Sequence, residues 1–225
     1  MPFLIESHAH AAETSPCSHL PGASLASEVK ARGYDALIVT DHYTPEWFAG
    51  CQSGPRFQTR LREFFAGYRA AFEGGKARDL IVLPALELRL AAGPEDFLVY
   101  GLAPEELAEL GCLAFLLLEE ASRRVRAAGG LLFQAHPFRA ALRRMPAELL
   151  DGVESFNGNP KHENHNAKAL RFAEENGLLQ SAGSDLHEKR GAGIAAMRMD
   201  EMPSVKSFAR ALRQGRAECL APKGE

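Results

Sequence analysis

The sequence predicts an α/β fold built on a mainly parallel sheet, either closed into a barrel or doubly wound, as one domain over residues 1–225. Three observations carry this. Short apolar runs alternate with stretches of helical periodicity. Each run ends in a polar cluster, as strands do where a parallel sheet presents its carboxyl ends. Seven such runs in 225 residues suit either architecture.

The elements follow in order. Phe3-Leu4-Ile5 runs into Glu6-Ser7-His8-Ala9-His10, and a helix from Ser24 to Arg32 follows a Pro-Gly turn with Ser24 as its expected N-cap. Ala36 to Thr40 forms the second strand and ends at Asp41-His42. Phe57, Leu61, Phe64, Phe65, Tyr68 and Phe72 recur near 3.6 spacing, which predicts one helix with a core-facing aromatic stripe, stopped by Gly74-Gly75. The third strand, Leu80 to Leu83, leads through Pro84-Ala85-Leu86 to Glu87; the fourth, Phe97 to Tyr100, ends at Gly101. A helix from Leu113 to Ala128 precedes the fifth strand, Leu131 to Ala135, which ends at His136-Pro137. Gly152 to Phe156 runs into Asn157-Gly158, and a helix spans His162 to Glu175. The seventh strand, Leu178 to Ala182, runs into Gly183-Ser184-Asp185-Leu186-His187, and a helix from Val205 to Arg213 closes the pattern.

Composition excludes several classes. Apolar residues at 46% and charged residues at 24% give enough burial to exclude general disorder. A net charge of −3 argues against a broad surface for duplex nucleic acid. The apolar stretch Leu113 to Leu118 is too short to span a bilayer, so no membrane partner is expected. Met1-Pro2-Phe3 lacks a basic leader, and Cys17, Cys51, Cys112 and Cys219 form no CxxC pair. Both features predict a cytoplasmic protein with reduced thiols.

Histidines and acids concentrate at strand ends. His8 and His10 are two apart on an extended segment and leave on one face, as do Asp185 and His187, and Glu87 and Arg89. A lone histidine is an ordinary core or cap residue, but histidines and carboxylates gathered at five strand ends predict a metal site. Mixed imidazole and carboxylate donors suit Zn, Mn or Fe.

The set His8-x-His10, Thr40-Asp41-His42, Glu87, Ala135-His136-Pro137 and Gly183-Ser184-Asp185-x-His187 resembles the polymerase-and-histidinol-phosphatase (PHP) family, with the motifs in order from Glu6 to His187. The resemblance implies a distorted seven-stranded TIM-like β/α barrel that holds two or three divalent metal ions and hydrolyses phosphate esters. It implies His8, His10, Glu87 and Asp185 around one metal, Glu87 bridging to a second held by His136, and His42 and His187 around a third. Two departures stand out. The place where many members carry a histidine, near the start of the fourth strand, falls to Asp96 or Phe97. The acid or histidine a few residues past the HxH pair falls to Glu13, with Cys17 and His19 behind it. Glu13 is thus a candidate ligand, with a solvated loop acid as the competing role.

Asp41 cannot share a strand face with its neighbour His42 and reads as a group that orients a ligand histidine. Arg89 and Arg139 suit a phosphate fork, and Asn157 lies in a loop placed for substrate contact. His162 is a candidate general acid, though it also fits a solvated helix start. The substrate expected is a small phosphomonoester or a nucleotide, with a short oligonucleotide also open. Two other functions compete: a metal-dependent amidohydrolase or lactonase on a similar barrel, disfavoured because no lysine sits at an expected strand end, and a non-catalytic PHP module. Oligomeric state is not readable from the sequence.

Overall fold

The structure is a computed structural model that describes residues 1–221; the last four residues of the domain expected over 1–225 lie outside them. The strands are β1 (Phe3–Ala9), β2 (Ala36–Val39), β3 (His42–Tyr43), β4 (Ile81–Pro84), β5 (Leu86–Arg89), β6 (Asp96–Tyr100), β7 (Leu131–Gln134), β8 (Gly152–Asn157), β9 (Leu179–Gly183), β10 (Ala196–Met199) and β11 (Glu218–Leu220). The α-helices are α1 (Gly22–Ala31), α2 (Gly54–Phe64), α3 (Ala66–Lys76), α4 (Pro104–Leu110), α5 (Leu118–Ala127), α6 (Asn166–Asn176) and α7 (Val205–Arg213).

The strands form two mixed sheets, ordered β11-β10-β1-β2-β4 and β3-β5-β6-β7-β8-β9. This corrects the expected closed barrel: the fold is mixed α/β, with no single closed sheet among the described residues. Two physical causes account for it. First, the chain from Glu87 to Phe97 holds no helix. The six residues between Arg89 and Asp96 cannot make a parallel crossover, so β5 and β6 pair antiparallel with Arg89 opposite Asp96. β6 then pairs antiparallel with β7. Second, two of the expected strands bend and change sheets. Ala36–Val39 pairs with β4 in the first sheet, and His42–Tyr43 with β5 in the second. The bends at Thr40-Asp41 and Ala85 stay hydrogen-bonded, Ala85 N–H to the Val39 carbonyl at 2.9 Å and Glu87 N–H to that of Asp41 at 3.0 Å.

A second seam joins the sheets on the other side. Ala9 bridges Leu186 in parallel, and the N–H of Leu186 donates to the His8 carbonyl at 3.1 Å. Gly183 makes this approach possible, because a Cβ there would lie 2.9 Å from the His8 amide nitrogen. The carboxyl ends of β1, β2, β5, β7, β8 and β9 thereby converge although the sheet does not close.

The helices differ from expectation in instructive places. The aromatic run splits at Phe65 into α2 and α3, and Phe57, Leu61, Phe64 and Phe65 pack into the core with Tyr43 and Phe48, while Phe72 is exposed. Gly74 and Gly75 lie inside α3 instead of ending it. A Cβ on Gly74 would lie 2.8 Å from Ala23 Cα, so this glycine permits the close packing of α1 on α3. Ser24 lies one turn inside α1, which starts at Gly22 after Pro21. The Leu113 helix begins as a short 3₁₀ turn before α5, and α4 was not expected. α7 matches at both ends, with Ser204 accepting from the Ser207 N–H. No helix of the described residues is long and apolar enough to cross a membrane.

Glu6 on β1 is fully buried and accepts the His8 and Ser184 N–H groups, both at 3.0 Å, through one carboxylate oxygen. Its other oxygen and the Ser184 hydroxyl have no partner. Burial pushes Glu6 up to about 7 from its ordinary 4.5. Between those values the folded chain holds a proton that the unfolded chain releases, so stability falls as pH rises. Relative to Glu6→Gln, the metal-free wild type should lose up to about 1.4 kcal/mol per pH unit in that window. Chemical denaturation at a series of pH values measures this, and parallel profiles for the two proteins would refute it.

Candidate metal centre

Glu87 lies at the middle of the convergence, fully buried on β5. One of its oxygens is 3.0 Å from His136 Nε2 and 3.3 Å from His8 Nε2; the other is 2.8 Å from His42 Nδ1 and 3.6 Å from His10 Nε2. Asp185 Oδ1 lies 3.4 Å from His10 Nε2, 3.6 Å from His8 Nε2 and 3.3 Å from His187 Nδ1. The i, i+2 geometry holds for the first pair, with the His8 and His10 rings 5.1 Å apart. His136 and Asp185, just past β7 and β9, have φ of 30° and 50°. These are left-handed conformations that non-glycine residues seldom adopt and that functional sites often retain.

Donor atoms gather in three groups, each with its atoms within 4.8 Å of one another: His8, His10 and Asp185; Glu87, Asp96 and His136; and His10, His42 and His187. Side chains that merely satisfied one another would not leave buried donors unpaired. Here His8 Nε2, both ring nitrogens of His10 and His136 Nδ1 are buried without a hydrogen bond. Unshared imidazole nitrogens and carboxylate oxygens facing one another fit divalent cations.

The electrostatics match. Burial alone would lower His8, but the carboxylates of Glu154, Glu87 and Asp185 hold it well above its ordinary value. Burial and the facing His42 and His187 push His10 well below. Burial would raise Glu87 and Asp185, yet the His8 charge, joined at Glu87 by that of His42, holds both well below. Opposed, strongly shifted groups in one cleft mark functional sites.

The other expected residues fall in several places. Arg139 joins the cluster, with Nη2 2.7 Å from Asp185 Oδ2. Arg89 pairs with both oxygens of Asp96, at 2.8 and 2.6 Å. Asn157 is buried and donates to Glu154 at 2.8 Å and to Asp185 at 3.3 Å, so it braces carboxylates from behind the cavity wall. Asp41 touches no ligand ring. It accepts from the Ala11 N–H at 2.8 Å and the Ser15 hydroxyl at 2.7 Å, and Ser15 Oγ in turn accepts the His42 N–H. It thus anchors the loop after β1. Glu13 is not brought to the cluster: it is exposed, and both its oxygens accept the Gly22 N–H at the start of α1.

Glu154 enters without having been named by the sequence, and Asp96 and Cys17, named there only at the two departures from the family pattern, join it. Glu154 on β8 is buried; its Oε1 lies 2.7 Å from His8 Nδ1, which fixes the ring with Nε2 facing inward, and its Oε2 accepts the His136 N–H. Its signal was an acid within a buried strand. Asp96, rather than Phe97, turns toward the cluster, with Oδ2 4.0 Å from His136 Nε2, while Phe97 packs into the core. Cys17 lies beside His187 and His42, whose hydrogen bonds outweigh burial and lower its thiol to about 6.

The cluster forms the floor of a cavity of about 560 Å³ whose walls include Thr44, Arg89, Arg139, Asn159, Lys161 and His162. Burial and the charge of Arg139 lower His162, which favours its neutral ring. A general acid must first be protonated, so this ring suits that role only once an anion lies beside it.

Comparisons with known proteins agree with the motif reading. A family model described as PHP-associated matches residues 163–217. The fold is similar to that of a two-domain protein from Bacteroides vulgatus containing a predicted PHP-like metal-dependent phosphoesterase, at 16% identity and TM-score 0.70, covering 98% of this chain and 65% of that one. It is also similar to an amidohydrolase from Chromobacterium violaceum, at 17% identity and TM-score 0.59, covering 95% and 97%. A third is a lesion-specific endonuclease from Pyrococcus furiosus, at 11% identity and TM-score 0.61, covering 97% and 58%. The chain therefore spans just under two thirds of the Bacteroides protein. No curated protein matches. The resemblance to the PHP family holds, and the fold is one that PHP-like proteins share.

Proposed function

We propose that the protein is a metal-dependent hydrolase of the PHP kind that cleaves a small phosphate ester. The observation that carries this is the set of buried, unpaired imidazole nitrogens facing carboxylates on the floor of an open cavity with cationic walls. Three carboxylates line that cavity (Glu87, Asp96, Asp185), as do three cationic side chains (Arg89, Arg139, Lys161). With the histidines neutral, as they are when they bind metal, these side chains leave it near neutrality, and each divalent cation held by the floor tips it toward binding an anion.

His8, His10 and Asp185, with the Glu87 oxygens 3.3 and 3.6 Å from the two imidazoles, would hold one cation, Glu87, Asp96 and His136 a second, and His42 and His187 a third. Zn, Mn or Fe fit these donors. When bound, such ions supply Lewis acidity and lower the pKa of water. The chain's own residues do the rest. Glu154 and Asn157 lock the His8 ring and the Asp185 carboxylate in place. Arg139 and Arg89, each held through Nε and Nη2 by neighbouring side chains, have Nη1 left for the equatorial oxygens of a phosphoryl group, where charge is carried in the transition state. His162, once an anion raises its proton affinity, stands where a leaving oxygen would be protonated.

The cavity suits a phosphomonoester or a nucleotide, and a single-stranded oligonucleotide end remains a candidate. Four free cysteines fit a reducing cytoplasm. A phosphate-release screen over phosphomonoesters, nucleotides and short oligonucleotides tests the proposal. Chelator-treated protein should release no phosphate, and Mn or Zn should restore release. Turnover of carboxylic esters, lactones or amides without phosphate release would overturn it in favour of an amidohydrolase.

A further inference from the structure

The group formed by His10, His42 and His187 contains no carboxylate. Neutral imidazoles leave the charge of a divalent cation uncompensated, and tetrahedral metals then favour an anionic further donor. The loop between β1 and α1 brings one. It is tied to the segments of all three histidines: Ser15 Oγ accepts the His42 N–H at 3.1 Å, Ser18 Oγ donates to the His10 carbonyl at 2.8 Å, and the His19 N–H donates to the His187 carbonyl at 2.9 Å. Cys17 sits between these anchors and lines the same cavity as His42 and His187. An independent observation points to a ligand at the same place. His10 is fully buried, both its ring nitrogens lack partners, and its ring lies 4.3 Å from those of His42 and His187.

We propose that Cys17 completes this group as a thiolate ligand, so that one end of the metal centre is a thiophilic His and Cys site distinct in preference from its carboxylate-rich neighbours. This rests on the reading that the cluster holds cations. A soft sulfur donor favours Zn, Co or Fe over Mn or Mg at this position. Because Cys17 is exposed, its thiolate is reachable by alkylating reagents until a metal occupies it.

Cobalt(II) added to the chelator-stripped full chain tests this by absorption. The wild type should show visible bands from bound cobalt together with a near-ultraviolet sulfur-to-cobalt band; Cys17→Ser should keep the first and lose the second, and Cys51→Ser should keep both. In parallel, zinc at 100 times its Kd should slow iodoacetamide labelling of Cys17 by up to about 100-fold, read by peptide mass spectrometry, and leave Cys51 unaffected. Cobalt binding without a sulfur band, or an unchanged band in Cys17→Ser, would overturn the thiolate assignment alone. Absence of any cobalt absorption would overturn the cation reading with it.

Discussion

Replacing Glu87 with Gln should lower the proposed metal-dependent phosphate release by a factor on the order of 10³ or more. The size follows from position. Among the described residues Glu87 is the one acid that lies within 3.6 Å of four histidines, and its two oxygens face different donor groups. Gln keeps the shape and one acceptor oxygen but removes the charge and the ability to bridge two cations. The same change acts on the metal-free protein. His8 and His42 are held in their charged form largely by neighbouring carboxylates, Glu87 among them. Taking one partner from a buried charge pair costs about 3–5 kcal/mol. The variant should therefore melt earlier in chelator, and its histidine charges should fall as their counter-ion disappears. Steady-state kinetics and calorimetry on the same preparations check both. Activity within tenfold of wild type in a well-folded Glu87→Gln protein would remove Glu87 from the ligand set.

Stripping divalent cations lowers the melting temperature and saturating Zn or Mn restores it. A ligand bound only by the folded state stabilises by about 2.7 kcal/mol at 100 times its Kd and about 4.1 at 1,000 times. For a chain of this size 1 kcal/mol shifts the midpoint by about 2–4 °C, so one occupied site gives roughly 5–16 °C. Structure explains why this term is large here. Without cations the fold must bury Glu87, Asp185 and Asp96 beside orphaned imidazole nitrogens, an arrangement that costs desolvation without full compensation. Asp185→Asn should remove much of the metal-dependent shift, because its Oδ1 serves both His8 and His10. A shift equally large in that variant would place the cations elsewhere on the surface.

Much of this site was legible because ligands sit at fixed offsets from apolar runs. His8 and His10 share a face by strand geometry, and His42, Glu87, His136, Asp185 and His187 each follow a buried run, so any topology that aligned the carboxyl ends would gather them. The sheet itself was less legible. A two-residue bend at Thr40-Asp41 and a one-residue bend at Ala85 decide which sheet each half-strand joins, and apolar pattern is blind to that choice. Glu154 was hidden because one acid in a buried strand does not reveal its partner 146 residues away. The loop after β1 misled for a different reason. The family resemblance made Glu13 the candidate donor, but the free N–H at the start of α1 captures its carboxylate, and the turn closed by Ser15 and Ser18 places Cys17 in the cavity lining with His42 and His187 instead.

The central claim is that these side chains hold divalent cations together. Anomalous diffraction from crystals grown with Zn or Mn measures this directly. Two or three peaks should appear in the cavity floor, at about 2.0–2.2 Å from His8, His10, Glu87, His136 and Asp185, with Glu87 touching two of them. A filled cavity with no anomalous peak among these residues, at metal concentrations in the millimolar range, would contradict it.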